Sequence, residues 1–183
     1  MKSIILDRDG VINYDSPHYI KSPDEWHPIP GSLEAIAALN RVGYHVFVIT
    51  NQSGVARGLY DLEILTLIHE KFLHGLASVG GYIDEIFVCP HHPDEKCICR
   101  KPQPGLFFEL KERYAIDLSQ TYFVGDSLSD LEVSYRAGVK PILVRTGNGE
   151  KTLKDSNFPA LSKQQTILVF DNLEKTAQFI LER

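Results

Sequence analysis

Short apolar runs alternate along the chain with longer segments in which apolar residues recur every three or four positions. The runs are rich in β-branched and aromatic residues and end at polar residues, which is typical of buried strands. The spaced segments predict amphipathic helices that pack one face against a sheet. The predicted strands are 3–6, 45–50, 85–88, 121–124, 141–144 and a short sixth at 166–170.

Helix-capping residues mark where the predicted helices begin and end between the predicted strands. A side chain that accepts a hydrogen bond from the backbone, or a proline, stands near the start of most of these segments, and glycine ends two of them. The remaining stretch, 146–165, is polar and is interpreted as a surface loop. The predicted helices begin at or near Ser32, Asp61, Pro104, Ser127 and Asn172.

The alternation of strands and helices predicts the fold class. Apolar strands that alternate with amphipathic helices favour a parallel sheet covered on both faces, so we expect an α/β, doubly wound, Rossmann-like fold. The chain has 183 residues and contains no internal repeat or linker-like segment. We therefore expect a single domain over 1–183.

Composition narrows the class of protein. The net charge is -5, which argues against a nucleic-acid binder, and no apolar run is long enough to span a membrane. The apolar stretch at 3–6 is too short for a signal peptide and leads directly into carboxylates. We expect a cytoplasmic, monomeric protein whose partner is a small molecule.

Polar side chains follow four of the predicted strands. Because the carboxyl ends of parallel strands meet at one edge of the sheet, we expect these side chains to lie close together. Two carboxylates ~4 Å apart repel by about 4 kcal/mol at an effective dielectric constant of 20. A divalent cation relieves that repulsion, and oxygen ligands suit Mg²⁺. The residues concerned are Asp7 and Asp9, Thr50 and Asn51, the segment 89–101, and Asp126 with Asp130.

All three cysteines of the chain, Cys89, Cys97 and Cys99, lie within eleven residues, and His91 and His92 stand between them. An odd number of closely spaced cysteines is a poor disulfide framework. Three thiols and an imidazole suit a structural Zn²⁺ site, with either histidine as the fourth ligand. The alternative is three incidental cysteines.

Four motifs together resemble the haloacid dehalogenase superfamily: D-x-D-G at 7–10, a strand that ends in Thr50, a downstream Lys101, and G-D-x-x-x-D at 125–130. The resemblance covers nearly the whole chain. It implies that Asp7 is the nucleophile, that Asp9 is the general acid and base, and that Thr50 and Lys101 bind the phosphoryl oxygens. It also implies Mg²⁺ bound by Asp7, the backbone carbonyl of Asp9, and Asp126. Asp130 would support Mg²⁺ or Lys101, or be solvated.

Longer motifs narrow the resemblance to a subfamily, the heptose-1,7-bisphosphate 7-phosphatases, which is related to the histidinol phosphatases. They are D-R-D-G-x-I-N at 7–13, T-N-Q-S-G-x-A-R-G at 50–58, and C-P-H-H-P and C-R-K-P-x-P-G at 89–93 and 99–105. The resemblance implies a zinc loop in place of a cap domain, with Cys89, His91, Cys97 and Cys99 as ligands. The implied substrate contacts are Asp15, Tyr19, Thr50, Asn51, Gln52, Ser53, Arg57, Arg100 and Lys101.

The expected function is Mg²⁺-dependent removal of the C7 phosphate of a heptose bisphosphate, for lipopolysaccharide precursor synthesis. A carboxyl at Asp9 can protonate an ester oxygen, which favours a phosphatase over a dehalogenase. The main competing hypothesis is a histidinol-phosphate phosphatase, although Arg100 favours a substrate with a second anionic group. We also consider a catalytically inactive, metal-stabilised binding protein and a phosphotransferase.

Overall fold

A computed structural model describes all residues, Met1–Arg183, and contains a six-stranded parallel sheet. The strands are β1 (Ser3–Leu6), β2 (His45–Asn51), β3 (Glu85–Cys89), β4 (Tyr122–Gly125), β5 (Lys140–Val144) and β6 (Leu168–Phe170). Their order is β3-β2-β1-β4-β5-β6, and every neighbouring pair is parallel. The order therefore reverses between β1 and β4, where such sheets open a crevice for ligands.

Helices cover both faces of the sheet, which confirms the doubly wound prediction. The helices are α1 (Ser32–Arg41), α2 (Leu62–Ser78), α3 (Gly105–Tyr114), α4 (Leu128–Ala137), α5 (Gly149–Leu153), α6 (Phe158–Gln164) and α7 (Leu173–Leu181). Alternate residues of β1 face opposite sides, so Ile4 and Leu6 pack under α1, α2 and α7, whereas Ile5 packs under α3 and α4. No helix has the length and apolar composition needed to cross a bilayer.

Three predicted N-caps are present. The side chains of Asp61, Ser127 and Asn172 each accept a hydrogen bond from a backbone N–H in the first turn of the helix that follows. At Ser127 the cap is reciprocal, because the Asp130 carboxylate accepts from the Ser127 backbone. These caps fix where α2, α4 and α7 begin relative to the strand ends.

The prediction of a surface loop over 146–165 is wrong, because this segment contains α5 and α6. Leu161 is buried against Leu131 and Leu143, and Leu153 and Phe158 pack beside them. The segment 146–165 has too few large apolar side chains to produce a recognisable helical period in the sequence. Both helices are short, and tertiary packing stabilises them more than their own sequence pattern does.

Candidate active site

A cavity of about 310 Å³ opens at the carboxyl edge of the sheet, and only two of its 16 lining residues are hydrophobic. Most residues that the sequence predicted for the site line this cavity. Arg57 and Asp130 do not line it. The predicted residues that line it are Asp7, Asp9, Asp15, Tyr19, Thr50, Asn51, Gln52, Ser53, Arg100, Lys101 and Asp126.

Three carboxylates and one lysine form a cluster at the base of the cavity, where Asp7, Asp126 and Lys101 line the floor and Asp130 lies behind it. Carboxylate oxygens of Asp7, Asp126 and Asp130 lie within 4.8 Å of one another. The Lys101 Nζ lies 2.9 Å from Asp7 and 2.7 Å from Asp130. Asp126 therefore has no cationic partner in this cluster.

The cluster carries more negative charge than its surroundings neutralise. Burial raises the pKa of Asp7 well above its usual range, and the charges of Asp130 and Asp126 reinforce the shift although Lys101 opposes it. Burial, with the charge of Asp130 next in size, raises the pKa of Asp126 to about 7. Oxygen ligands that repel one another in this way fit a hard divalent cation such as Mg²⁺.

Asp130 has a structural position behind the cavity and is only 1% exposed. Its Oδ2 accepts hydrogen bonds from the backbone N–H groups of Asp126 and Ser127, at 3.2 and 3.0 Å, while its Oδ1 pairs with Lys101. Asp130 thus fixes the turn that carries Asp126 and holds the lysine at the same time. It is a buried, fully engaged carboxylate and not a solvated one.

The Asp9 carboxylate is surrounded by hydrogen-bond donors. Arg8, which is fully buried, donates through Nε and Nη2 at 2.9 to 3.1 Å. Asn13 and Gln52 each donate an amide N–H at 2.8 Å. Burial raises the pKa of Asp9, but the Arg8 charge and these hydrogen bonds outweigh it and lower the pKa below its usual value.

The end of β2 builds the next side of the cavity. Asn51 pairs with the backbone of Lys101, donating to its carbonyl and accepting from its N–H, both at 3.1 Å. The Gln52 amide donates to Thr50 as well as to Asp9. The amides of Asn51 and Gln52 are therefore engaged within the protein, whereas no intramolecular hydrogen bond engages the Ser53 hydroxyl.

Two arginines, Arg100 in the cavity lining and Arg57 beside the lining residue Tyr19, are in different situations. Arg57 is exposed and lies 5.9 Å from the centre of the Tyr19 ring, which itself lines the cavity. Tyr19 has a left-handed backbone with φ of 66°. The Nη1 of Arg100 is buried and makes no hydrogen bond within the protein. Arg100 lines the cavity, and a guanidinium with an N–H that lacks a protein acceptor suits an anionic ligand group.

Asn148, which the sequence did not predict for the site, connects two of its carboxylates. Its backbone N–H donates to Asp126 at 2.7 Å, and its side-chain amide donates to Asp15 at 2.9 Å. Thr146 of the same loop donates to the carbonyl of Gly10 at 2.7 Å. The available signal was position, because this loop follows β5 at the edge where the other site residues lie.

The three cysteines are free thiols and surround His91 in one cluster. Their sulfurs lie 3.0 to 3.6 Å apart, and the His91 Nδ1 is 3.1 Å from the Cys99 sulfur. These donors lie somewhat closer together than the roughly 3.8 Å expected around a tetrahedral zinc with a Zn–S bond of about 2.3 Å. Three thiols and one imidazole are nevertheless the ligand types that this ion takes. His92 lies outside the cluster, where its ring accepts a hydrogen bond from the Asp94 backbone.

Comparison with known sequences gives a consistent family. A HAD-hydrolase-like family model matches residues 98–176. The D-glycero-β-D-manno-heptose-1,7-bisphosphate 7-phosphatase of Pseudomonas putida is 49% identical over 181 residues, which are 99% of this chain and 100% of the relative. The enzyme of the same name from Bordetella bronchiseptica is 54% identical over 159 residues, 87% of this chain and 89% of the relative.

Solved structures agree with the sequence matches. The chain resembles the crystal structure of D,D-heptose 1,7-bisphosphate phosphatase from B. bronchiseptica, complexed with magnesium and phosphate. The TM-score is 0.95 at 49% identity, with 100% of this chain and 99% of that chain covered. The corresponding enzyme from Burkholderia thailandensis gives a TM-score of 0.78 at 42% identity, with both chains fully covered.

Proposed function

Because the chain belongs to the haloacid dehalogenase-like hydrolases, in the family of the heptose bisphosphate phosphatases, we propose that it hydrolyses the C7 phosphate of D-glycero-D-manno-heptose 1,7-bisphosphate. The product is the heptose 1-phosphate, which serves lipopolysaccharide precursor synthesis. The observation that carries the proposal is the meeting of Asp7, Lys101 and Asp126 at the floor of a polar cavity that Arg100 also lines. Such a cavity can bind the reacting phosphate at Lys101 and a second phosphate of the same substrate at Arg100.

Asp7 is the nucleophile in this proposal. Its Oδ1 accepts a hydrogen bond from the Arg8 backbone at 2.7 Å, and its Oδ2 faces Lys101. One carboxylate oxygen attacks phosphorus, a new P–O bond forms, and the bond between phosphorus and the C7 oxygen breaks. Asp9 must carry a proton when the ester binds. It gives that proton to the departing oxygen, then takes one from the water that attacks the aspartyl phosphate, which restores its protonated form. Phosphate leaves and Asp7 is regenerated.

Asp7, the backbone carbonyl of Asp9, and Asp126 would hold Mg²⁺. When bound, the ion neutralises charge between the carboxylates and the phosphoryl oxygens. Lys101 and the Thr50 hydroxyl bind those oxygens and stabilise the charge that develops on them. Asp130 keeps the lysine in place through the 2.7 Å ion pair.

The rest of the cavity binds the sugar and its distal phosphate. Arg100 is the proposed partner of the distal phosphate, because its Nη1 has no acceptor within the protein. Histidinol phosphate would instead bring a cationic amine towards this arginine. The sugar hydroxyls are proposed to contact Asp15, Tyr19, Asn51, Gln52 and Ser53, with Arg57 acting through the Tyr19 ring.

Cys89, His91, Cys97 and Cys99 are proposed to hold a structural Zn²⁺. Arg100 and Lys101 follow the last of these ligands directly, so a bound zinc that holds the loop in one conformation also restricts the positions of both cationic residues. The proposal also includes a single catalytic domain over 1–183 that acts as a monomer in the cytoplasm.

The test is phosphate release by the purified protein from three substrates: the β and α anomers of the heptose bisphosphate, and histidinol phosphate. We expect the heptose bisphosphate to react with the highest kcat/KM, and EDTA to abolish the reaction. The β anomer is the first choice, because the relatives carry it in their names. Faster turnover of histidinol phosphate would replace the proposed substrate, and no release from any of the three would reject a phosphatase.

A further inference from the structure

Two series of hydrogen bonds, each called a chain below, connect Asp9 to one segment outside the cavity lining, residues 60–69. This segment comprises Tyr60, the N-cap of α2 and the first two turns of that helix. Neither Tyr60 nor His69 lines the cavity, so neither can touch a substrate there. Both nevertheless end on the carboxylate that is proposed to transfer the proton.

The first chain starts at Tyr60, whose hydroxyl donates to the Gln52 Oε1 at 2.6 Å. The Gln52 amide nitrogen then donates to the Asp9 Oδ2 at 2.8 Å. The directions are fixed by chemistry, because an ionised carboxylate only accepts and so requires the amide nitrogen on its side. A side chain in place of the hydrogen of Gly54 would collide with the Tyr60 ring, so the ring is closely fitted.

The second chain starts at His69, whose Nε2 lies 3.1 Å from the Arg8 Nη1. Arginine has only donors, so the histidine nitrogen must be the acceptor and the ring proton must sit on Nδ1. The same guanidinium donates through Nε and Nη2 to both oxygens of Asp9. His69 thereby fixes the rotation of the planar fork that holds Asp9.

We infer that Tyr60 and His69 are positioning residues for the general acid, and that α2 sets the orientation of Asp9 through Gln52 and Arg8. The inference rests on the proposed function. Proton transfer needs the Asp9 carboxylate within hydrogen-bond reach of the leaving oxygen. A distant mutation that displaces a reacting group by about 1 Å can lower the rate on the order of a hundredfold. The Asp9 side chain can rotate about two bonds, so its hydrogen-bond partners determine where the carboxylate points.

The test compares two esters that differ in their need for a proton. The C7 oxygen of the heptose leaves as an alcohol and requires protonation, whereas the nitrophenolate of p-nitrophenyl phosphate leaves readily without it. A misplaced Asp9 therefore lowers kcat/KM for the sugar phosphate far more than for the aryl phosphate. Loss of folded protein or of phosphate binding lowers both in the same proportion.

For Tyr60→Phe and His69→Leu we expect the ratio of kcat/KM for heptose bisphosphate to that for p-nitrophenyl phosphate to fall by roughly tenfold. His69→Gln keeps an acceptor for Arg8 and should restore the ratio to within about threefold of wild type. The matched controls are Tyr82→Phe and His74→Leu, at exposed positions without side-chain hydrogen bonds to the protein, and both should keep the wild-type ratio.

An unchanged ratio in Tyr60→Phe and His69→Leu would overturn the inference, as would a His69→Gln ratio no better than that of His69→Leu. Because His69→Gln retains the hydrogen bond, it provides a folded comparison even if His69→Leu is unstable. Wild-type protein that hydrolyses neither ester would instead reject the proposed function, so the two failures are distinguishable.

Discussion

The ionised form of Asp7 is destabilised in the folded protein, because burial and two neighbouring carboxylates raise its pKa despite the ion pair with Lys101. Asp7→Asn removes the nucleophile and one negative charge together. We expect kcat to fall by at least about 10³-fold, while the melting temperature in EDTA stays the same or rises by a few degrees. Steady-state kinetics and a thermal melt check both parts. Near-wild-type turnover would reject Asp7 as the nucleophile.

His69 predicts a pH dependence of stability. Burial, followed by the Arg8 charge, lowers the pKa of His69 to about 4, whereas an unfolded histidine titrates near pH 6.5. Below about pH 6.5 the unfolded chain takes up a proton that the folded chain refuses, so this residue destabilises the fold as the pH falls towards 4.

The measurement is urea unfolding of wild type and His69→Gln at pH 7 and pH 5. We expect the wild type to lose roughly 1–2 kcal/mol more than the variant over this interval, because glutamine does not titrate. Equal losses in the two proteins would mean that His69 does not stay neutral in the folded state.

The loop from Cys89 to Cys99 links the proposed zinc site to the cavity, since Arg100 and Lys101 follow it directly. Cys97→Ser removes one of four ligands. We expect about one zinc per wild-type chain by elemental analysis, weaker zinc retention in the variant, and a loss of roughly tenfold or more in kcat/KM. Zinc-free wild-type protein with full stability and activity would contradict this role.

The strands whose ends line the cavity were predictable because each is a short apolar run that ends abruptly in a polar residue. The ends of β1, β2 and β4 supplied Asp7, Thr50 and Asp126 in this way. Tyr60 and His69 gave no such signal, since their contacts with Gln52 and Arg8 arise only when α2 packs beside β1 and β2. The segments α5 and α6 were missed for a similar reason, because packing on Leu131 and Leu143 stabilises them.

Mg²⁺ would connect the two halves of the sheet, because Asp7 follows β1 and Asp126 follows β4 across the point where strand order reverses. A ligand that binds only the folded state stabilises it by mass action. We expect millimolar MgCl₂ to raise the melting temperature of the wild type by several degrees and to have little effect on Asp126→Asn. An equal response in the two proteins would place the ion elsewhere.

The polar wall of the cavity has a thermodynamic consequence. Only two of its 16 lining residues are hydrophobic, so a bound sugar phosphate buries little apolar surface. The heat-capacity change on association should accordingly be small, because that quantity follows the apolar area removed from water. Affinity would then rest on ionic and hydrogen-bonded contacts, and it should weaken as the ionic strength of the buffer increases.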